Sequence, residues 1–153
     1  MRLYLDLQIA TEFNPIPTKA TISRWIKTAL LTAGRTTDTE ITLRLVDKKE
    51  ITALNQTFRH KNYATNVLSF PFELPEGIDD LPLIGDMIIC LDVVAEEAKA
   101  QNKTVYHHLT HMVVHGCLHL LGFDHEDTNE ALEMENLERL ILKDLKIADP
   151  YLE

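Results

Sequence analysis

The sequence contains few of the residues that mark extracellular, fibrous or disordered proteins. It has 2 cysteines, 5 glycines and 6 prolines among 153 residues, which excludes a disulfide-rich scaffold, a collagen-like repeat and a low-complexity linker. No apolar run approaches the roughly 20 residues that a membrane span needs. The first residues, MRLYLD, lack the long apolar stretch of a secretory signal. We therefore expect a cytoplasmic protein with reduced thiols and no membrane contact.

Basic residues are also in the minority, and they are unevenly distributed. The net charge is −9. Residues 1–72 carry ten Lys and Arg against six Asp and Glu, whereas residues 124–153 carry three against ten. A uniformly acidic chain would repel a polyanion, but a basic N-terminal half leaves binding to nucleic acid open.

Strand and helix patterns alternate along the chain, which predicts a mixed fold. Period-two apolar spacing predicts four strands, near residues 3–9, 41–45, 67–70 and 84–91, the last interrupted at 85–86. Helical spacing predicts helices near residues 22–33, 50–58, 93–101, 104–121 and 129–146. We expect one domain over residues 1–153, of class α+β, with a small mixed four-stranded sheet covered by about five helices.

Some details of these helices are predicted from single residues. Asp47 and Glu50 have the spacing of a capping box, and Asp92 is expected to cap the following helix. In the last helix we expect an inward face made of apolar residues. These residues are Met134, Leu137, Leu140, Ile141 and Leu145.

Six of the seven histidines fall between residues 107 and 125. Four of them are spaced by four residues and share one broad helix face: His107, His111, His115 and His119. His115 and His119 form an H-x-x-x-H pair, a spacing that lets two imidazoles reach one metal ion from successive turns. Gly122 lets the chain leave the helix, and His125 can then supply a third ligand. Three histidines with an open fourth position predict a catalytic zinc site at the end of the long helix.

Residues 115–125, HGCLHLLGFDH, match the metzincin pattern H-E-x-x-H-x-x-G-x-x-H except at one position. Gly116 replaces the Glu that serves as general base in zinc peptidases, so the usual route of amide hydrolysis is missing. A zinc-bound water can still ionise near neutral pH, which leaves hydrolysis of a better electrophile open. Cys117 lies about 200° around the helix from both His115 and His119 and is expected to face the core.

Arg59, His60 and Lys61 form a basic segment before a predicted strand. A guanidinium there can clamp a phosphate with two hydrogen bonds and stabilise the charge of a phosphoryl-transfer transition state. A solvated basic loop is the commoner structure for such a segment, and the pattern leaves both interpretations open.

Three blocks of the sequence are specific enough to compare with known families. They are residues 54–61 (LNQTFRHK) with 65–71 (TNVLSFP), residues 85–90 (GDMIIC), and residues 111–125 followed by an acidic helix containing Glu133 and Glu135. Together they resemble the bacterial YbeY family, zinc-dependent endoribonucleases of ribosomal RNA maturation.

The resemblance implies one zinc ion per chain on His115, His119 and His125, with water completing the site. It implies that Arg59 is the phosphate-facing catalytic residue. We expect His115, one of the zinc ligands, to be catalytic as well. The implied substrate is single-stranded RNA, notably the 3′ precursor end of 16S ribosomal RNA. A role in ribosome quality control is also implied, with the ribosome or ribosomal proteins as partners.

The sequence does not decide which residues orient the metal ligands, and it leaves two competing functions open. Asp86 or Asp124 could orient a zinc ligand through its other ring nitrogen, and His111 could be a partner in that layer or a packed core residue. A zinc metalloprotease would need a replacement general base. A non-catalytic, zinc-stabilised ribosome-assembly factor would bind zinc and RNA without turnover, and the net charge of −9 favours it over a strong RNA binder.

Overall fold

The computed structural model describes residues 1–124 and 126–151. The elements in these two ranges are β1 (Leu3–Ala10), α1 (Lys19–Thr32), β2 (Thr39–Val46), α2 (Lys48–Arg59), β3 (Val67–Pro71), β4 (Leu83–Cys90), α3 (Leu91–Ala100), α4 (Val105–Leu120) and α5 (Thr128–Asp144). The predicted α+β class, with its four strands and five helices, is confirmed. None of these helices is both long and apolar enough to cross a bilayer.

The strands form one mixed sheet in the order β1-β2-β4-β3. β1, β2 and β4 run parallel, and β3 pairs antiparallel with β4 at the edge. β4 continues through the predicted interruption because Gly85 adopts a φ of 145°, which only glycine takes without strain. A Cβ at Gly85 would collide with the carbonyl oxygen of Phe70 on β3. The missing side chain therefore lets the two strands pair.

Alternate residues of the strands face two different helix layers. Leu43 and Leu45 of β2 point into the main core, together with Trp25 of α1 and Val113 of α4. The next residue of β2, Val46, belongs to a smaller cluster on the other face with residues of β3, β4 and α2. α4 contacts β3, β4, α1, α3 and α5, so its histidines sit on the most enclosed helix of the fold.

Both ends of α4 are defined by local hydrogen bonds. Thr104 caps the start of the helix, where its hydroxyl accepts from the His107 backbone N–H at 3.1 Å. At the end, Gly122 donates to the His119 carbonyl and Phe123 to the Leu118 carbonyl, both at 3.0 Å. This is a Schellman motif, which the φ of 96° at Gly122 permits. The predicted exit of the chain at Gly122 is confirmed.

Two of the predicted caps are wrong in detail. Asp47 is the N-cap of α2, but its carboxylate accepts from the Thr11 hydroxyl at 2.5 Å and makes no cap hydrogen bond. Glu50 pairs with Arg44 of β2 instead of completing a capping box. Asp92 lies in the first turn of α3, which begins one residue earlier. In each case a tertiary partner or a neighbouring strand competes with the local pattern.

Candidate active site

A cleft of about 540 Å³ opens between the end of α2, strand β3 and the end of α4. Arg59 and Lys61 line this cleft, and so do His115 and His119. Ser69 lies between them on β3. The structure therefore brings the two constellations of the sequence, the basic segment and the histidine pair, into one cavity.

His115 and His119 face each other across one turn of α4. Their Nε2 atoms are 3.0 Å apart and their ring centroids 4.6 Å apart. Two nitrogens bound to one tetrahedral zinc at 2.0–2.1 Å lie about 3.3 Å from each other. The two Nε2 atoms are thus already near the separation that a shared metal ion requires.

A buried carboxylate stands behind His115. Glu138 of α5 is fully buried, and its Oε1 lies 2.6 Å from Nδ1 of His115. Its Oε2 lies 2.7 Å from Nε2 of His111 and also accepts from the Tyr151 hydroxyl. Glu138 therefore connects α4, α5 and the segment after α5 at a single side chain.

Glu138 is ionised because its partners outweigh its burial. Burial by itself raises the pKa of this carboxyl, but hydrogen bonds and charge from His111 and His115 lower the pKa to about 2. Burial and the contact with Glu138 raise the pKa of the Tyr151 hydroxyl, which keeps its proton. An ionised carboxylate can only accept, so Nδ1 of His115 carries a proton towards it. In the neutral ring the lone pair then lies on Nε2, on the side of His119.

The same cluster offers a second set of metal donors. Ligand atoms of His111, His115 and Glu138 all lie within 4.8 Å of one another, and this group could hold a metal ion. Two of the spacings in the group are hydrogen-bond distances of 2.6 and 2.7 Å. This geometry is typical of a carboxylate that orients a metal-binding histidine through its other nitrogen. The pair His115 and His119, which lines the cleft, fits the ligand role better.

Three of the sequence-based predictions for this region have different outcomes. His125, the predicted third ligand, lies outside the described residues. Asp124 lines the cleft, whereas Asp86 is exposed on β4. The carboxylate that contacts a predicted ligand ring at Nδ1 is Glu138, for which no role was predicted. His111 was expected to be either a partner of the metal ligands or a packed core residue. It contacts this carboxylate.

Arg59 is held at the cleft by strand β3. It is the last residue of α2, and its Nη2 donates to the Ser69 carbonyl at 3.2 Å. Its guanidinium carbon lies 6.0 Å from the centroid of the Phe70 ring. The Ser69 hydroxyl in turn donates to the Gly116 carbonyl of α4 at 3.3 Å. Ser69 thus joins the arginine side of the cleft to the histidine helix.

The chain after Arg59 is folded back by local contacts. His60 takes a left-handed conformation with a φ of 59° and ends α2. The buried Asn55 side chain then donates to the Tyr63 carbonyl at 2.9 Å. Because the chain turns back at this point, Lys61 and Tyr63 also line the cleft.

Gly116 and Cys117 face the sheet and the core. A Cβ at Gly116 would overlap the Sδ of Met87 on β4. The position where zinc peptidases carry their general base is therefore a close contact between α4 and the sheet. Cys117 is fully buried in the main core, as predicted, and burial raises the pKa of its thiol. Cys90 is buried and unpaired as well.

The sequence carried one overlooked signal for Glu138. The buried residues of α5 include Met134, Glu138 and Ile141, which follow one another at helical spacing. Leu140, predicted to face inward, is half exposed. A charged residue within an apolar helical stripe was the available sign of a buried carboxylate. No pattern in the sequence indicated Tyr151.

Comparison with known proteins gives a consistent result. A family model described as Endoribonuclease YbeY matches residues 6–146. Endoribonuclease YbeY of Pseudomonas syringae pv. tomato is 54% identical over 149 residues, covering 97% of this chain and 88% of that protein. The protein of the same name from Colwellia psychrerythraea is 50% identical over 151 residues, covering 97% of each.

A solved structure supports the fold. The solution structure of TM1509 from Thermotoga maritima aligns with a TM-score of 0.56 at 23% identity, covering 97% of this chain and 99% of that one. The sequence resemblance, the extent of the family match and the shared fold agree. The chain belongs to the Endoribonuclease YbeY family.

Proposed function

We propose that residues 1–153 form one domain that acts as a single-strand-specific, zinc-dependent endoribonuclease in the cytoplasm. Its proposed tasks are 3′-end maturation of 16S ribosomal RNA and ribosome quality control. The observation that carries the proposal is the cleft shared by Arg59, His115 and His119. A cation suited to phosphate and a pair of side chains suited to a metal ion thus line one cavity.

The proposed metal is one zinc ion on His115, His119 and His125, with water in the fourth position. Nitrogen ligands suit zinc, and the Nε2 spacing of 3.0 Å supports a shared ion. When bound, zinc supplies a Lewis acid that polarises a phosphate oxygen or lowers the pKa of a water molecule. Nδ1 of His115 contacts Glu138, and its Nε2 lies beside that of His119.

Arg59 is proposed to stabilise negative charge on the reacting phosphate. A guanidinium carries five N–H donors, and one nitrogen is engaged by the Ser69 carbonyl. The other donors can reach a phosphate in the cleft. The contact is strongest when two N–H groups of the guanidinium bind two oxygens of the same phosphate. Because such charge increases in the transition state, this contact lowers the barrier more than it tightens substrate binding.

Two further side chains in the cleft suit a single strand. Tyr63 is 53% exposed and lines the cleft with Lys61. An exposed aromatic ring can stack on an unpaired base, and a nearby lysine can contact the backbone phosphate. Bases in a duplex are already stacked and would not be available to Tyr63.

The ribosome is the proposed partner because intrinsic affinity for RNA should be low. The chain carries a net charge of −9, and affinity for RNA comes mainly from neutralised phosphates. An enzyme whose substrate is presented on a ribosome needs less affinity of its own.

The test is cleavage of an end-labelled single-stranded RNA by the zinc-loaded chain beside Arg59→Ala. The matched control is Arg24→Ala, which removes an exposed arginine of α1 away from the cleft. We expect the parent chain and Arg24→Ala to cleave, and Arg59→Ala to lose at least about 100-fold in rate, as for other charge-stabilising groups. Zinc content and thermal melting should be unchanged in both variants.

Other results would favour the competing functions. Equal cleavage by the parent chain and Arg59→Ala would remove Arg59 from the reaction. Zinc and RNA binding without cleavage, even on isolated ribosomal particles, would favour the non-catalytic assembly factor. Cleavage of an unfolded protein substrate would favour the metalloprotease.

A further inference from the structure

Glu138 occupies a position where an apolar residue would be expected. Its relative accessibility is 0%. It lies between the core residues Met134 and Ile141 on α5. Burial of an ionised carboxylate is costly unless hydrogen bonds compensate it. The contacts around Glu138 should therefore explain why it is there.

The three donors to Glu138 divide its two oxygens between them. Oε1 contacts Nδ1 of His115, while Oε2 is shared by Nε2 of His111 and the Tyr151 hydroxyl. With both oxygens engaged, the carboxylate cannot rotate without breaking a hydrogen bond. Its orientation, and through it the orientation of the His115 ring, is held from two further directions.

Tyr151 is itself fixed against α5. Its backbone N–H donates to Asp149 at 2.8 Å, and Asp149 pairs with Arg139 of α5 at 3.2 Å. The guanidinium carbon of Arg139 lies 5.2 Å from the centroid of the Tyr151 ring. The Tyr151 ring also packs against His111 in a T-shaped arrangement, with centroids 5.7 Å apart. The tyrosine ring is thus contacted by both Arg139 and His111.

We propose that Glu138 is a positioning residue of the metal centre and that Tyr151 is the residue that holds Glu138 in place. Glu138 keeps His115 in the tautomer with its proton on Nδ1, so that Nε2 presents a lone pair beside His119. Tyr151 and His111 keep the carboxylate in the orientation that this requires. The inference rests on the proposed metal centre, and it adds a residue outside the family match, which ends at residue 146.

The test compares the parent chain with Glu138→Gln and Tyr151→Phe. Glutamine keeps the volume of Glu138 but has one oxygen and one NH₂ group in place of two acceptors. It can therefore pair with His115 in either tautomer. Phenylalanine removes the Tyr151 hydroxyl alone. The controls are Glu133→Gln, an exposed carboxyl on α5, and Tyr4→Phe, an exposed tyrosine on β1.

Two readouts that do not depend on cleavage decide the question. The ¹⁵N shifts of the His115 ring in the metal-free protein report its tautomer, and competition with a chromophoric chelator reports the dissociation constant for zinc. We expect a proton on Nδ1 in the parent chain and a loss of this preference in Glu138→Gln. Zinc affinity should fall about 10- to 100-fold in Glu138→Gln, less in Tyr151→Phe, and not at all in the controls.

An unchanged tautomer and unchanged zinc affinity in Glu138→Gln would overturn the proposal. A loss of zinc as complete as in His119→Asn would also overturn it, because Glu138 would then be a ligand. If Glu138→Gln does not melt cooperatively, Tyr151→Phe decides, and parent-like zinc affinity in that variant contradicts the role of Tyr151. Failure of the parent chain to bind zinc would instead refute the metal centre itself.

Discussion

Gly116 shows how the absence of one side chain shapes the site. At this position α4 approaches β4 so closely that a Cβ would overlap Met87, which is fully buried. The Gly116 carbonyl accepts from Ser69, and Ser69 also holds Arg59. Gly116 therefore helps to set the distance between α4, which carries the histidines, and β3, whose Ser69 carbonyl accepts from Arg59.

Gly116→Ala should destabilise the chain only while Met87 is present. We expect a loss of about 1 kcal/mol in the free energy of unfolding, since overpacking costs about 2 kcal/mol and alanine returns about 1 kcal/mol of helix propensity. In a Met87→Ala background the same substitution should be stabilising, because the space is vacated. Urea unfolding of the four proteins measures both effects. An equal cost in both backgrounds would show that Met87 is not the cause.

At the scale of elements, α2 is attached to the sheet by an ion pair near its start. The guanidinium of Arg44 on β2 donates to both carboxylate oxygens of Glu50, at 2.6 and 3.0 Å, and to Gln8 of β1 at 3.1 Å. The other end of α2 carries Arg59. The pair therefore helps to fix the helix that delivers the arginine to the cleft.

This ion pair makes a pH-dependent contribution to stability. The hydrogen bond from Arg44 lowers the pKa of Glu50, against a smaller opposing effect of burial. A lowered carboxyl pKa stabilises the folded state above the unfolded value of about 4.3, and the contribution is lost as the pH falls through the folded pKa. Glu50→Gln should therefore lower the urea midpoint at pH 7, and the difference from the parent chain should vanish in acid.

The comparison needs an exposed carboxyl elsewhere in the fold that does not pair with Arg44. Glu40→Gln, at an exposed position of β2, serves as the control and should leave the midpoint nearly unchanged at pH 7. A difference between Glu50→Gln and the parent chain that persists undiminished at pH 3 would mean that packing, and not the ion pair, is responsible.

Helix α5 shows why the face of a helix is harder to predict than its existence. Its predicted span, 129–146, is close to the observed Thr128–Asp144. The apolar stripe assigned to it included Leu140, which is half exposed, and omitted Glu138, which is buried. The inward face of α5 is the one that packs against α4 and α1. Part of the α4 surface that it meets consists of histidines, which contact Glu138.

At the scale of the whole molecule, charge is arranged so that the cleft is only weakly attractive to RNA. Among the residues that the structure describes, Arg59 and Lys61 are the Lys and Arg side chains lining the cleft, and Asp124 and Glu126 line it too. The chain as a whole carries 24 acidic and 15 basic residues. Binding should therefore involve few phosphate contacts.

RNA affinity should accordingly depend weakly on salt. Each phosphate contact with a single strand contributes about −0.7 to the slope of log K against log salt, so two contacts predict a slope of about −1.4. Fluorescence anisotropy with the metal-free chain, which should not turn over, measures it. Lys61→Ala should reduce the slope by about 0.7, whereas Lys27→Ala, exposed on α1, should not. A slope steeper than about −3 would indicate a second basic surface.

Local spacing was enough to predict the histidine pair. Residues four apart lie on the same helix face whatever surrounds the helix, so His115 and His119 could be placed together from their numbers. Gly122 and the burial of Cys117 followed from the same helical geometry. The resemblance to a family, and not spacing, added Arg59 to the histidines.

The residues that complete the site come from distant parts of the chain. Ser69 precedes Gly116 by 47 residues, and Glu138 follows His115 by 23. Such contacts depend on how β3 and α5 pack against α4, and packing is decided by the whole core together. Helical geometry therefore allowed the histidines of the proposed metal site to be inferred from neighbouring residues, because their spacing along one helix fixes their common face. The groups that contact them became visible only when the packed helices and strands were known.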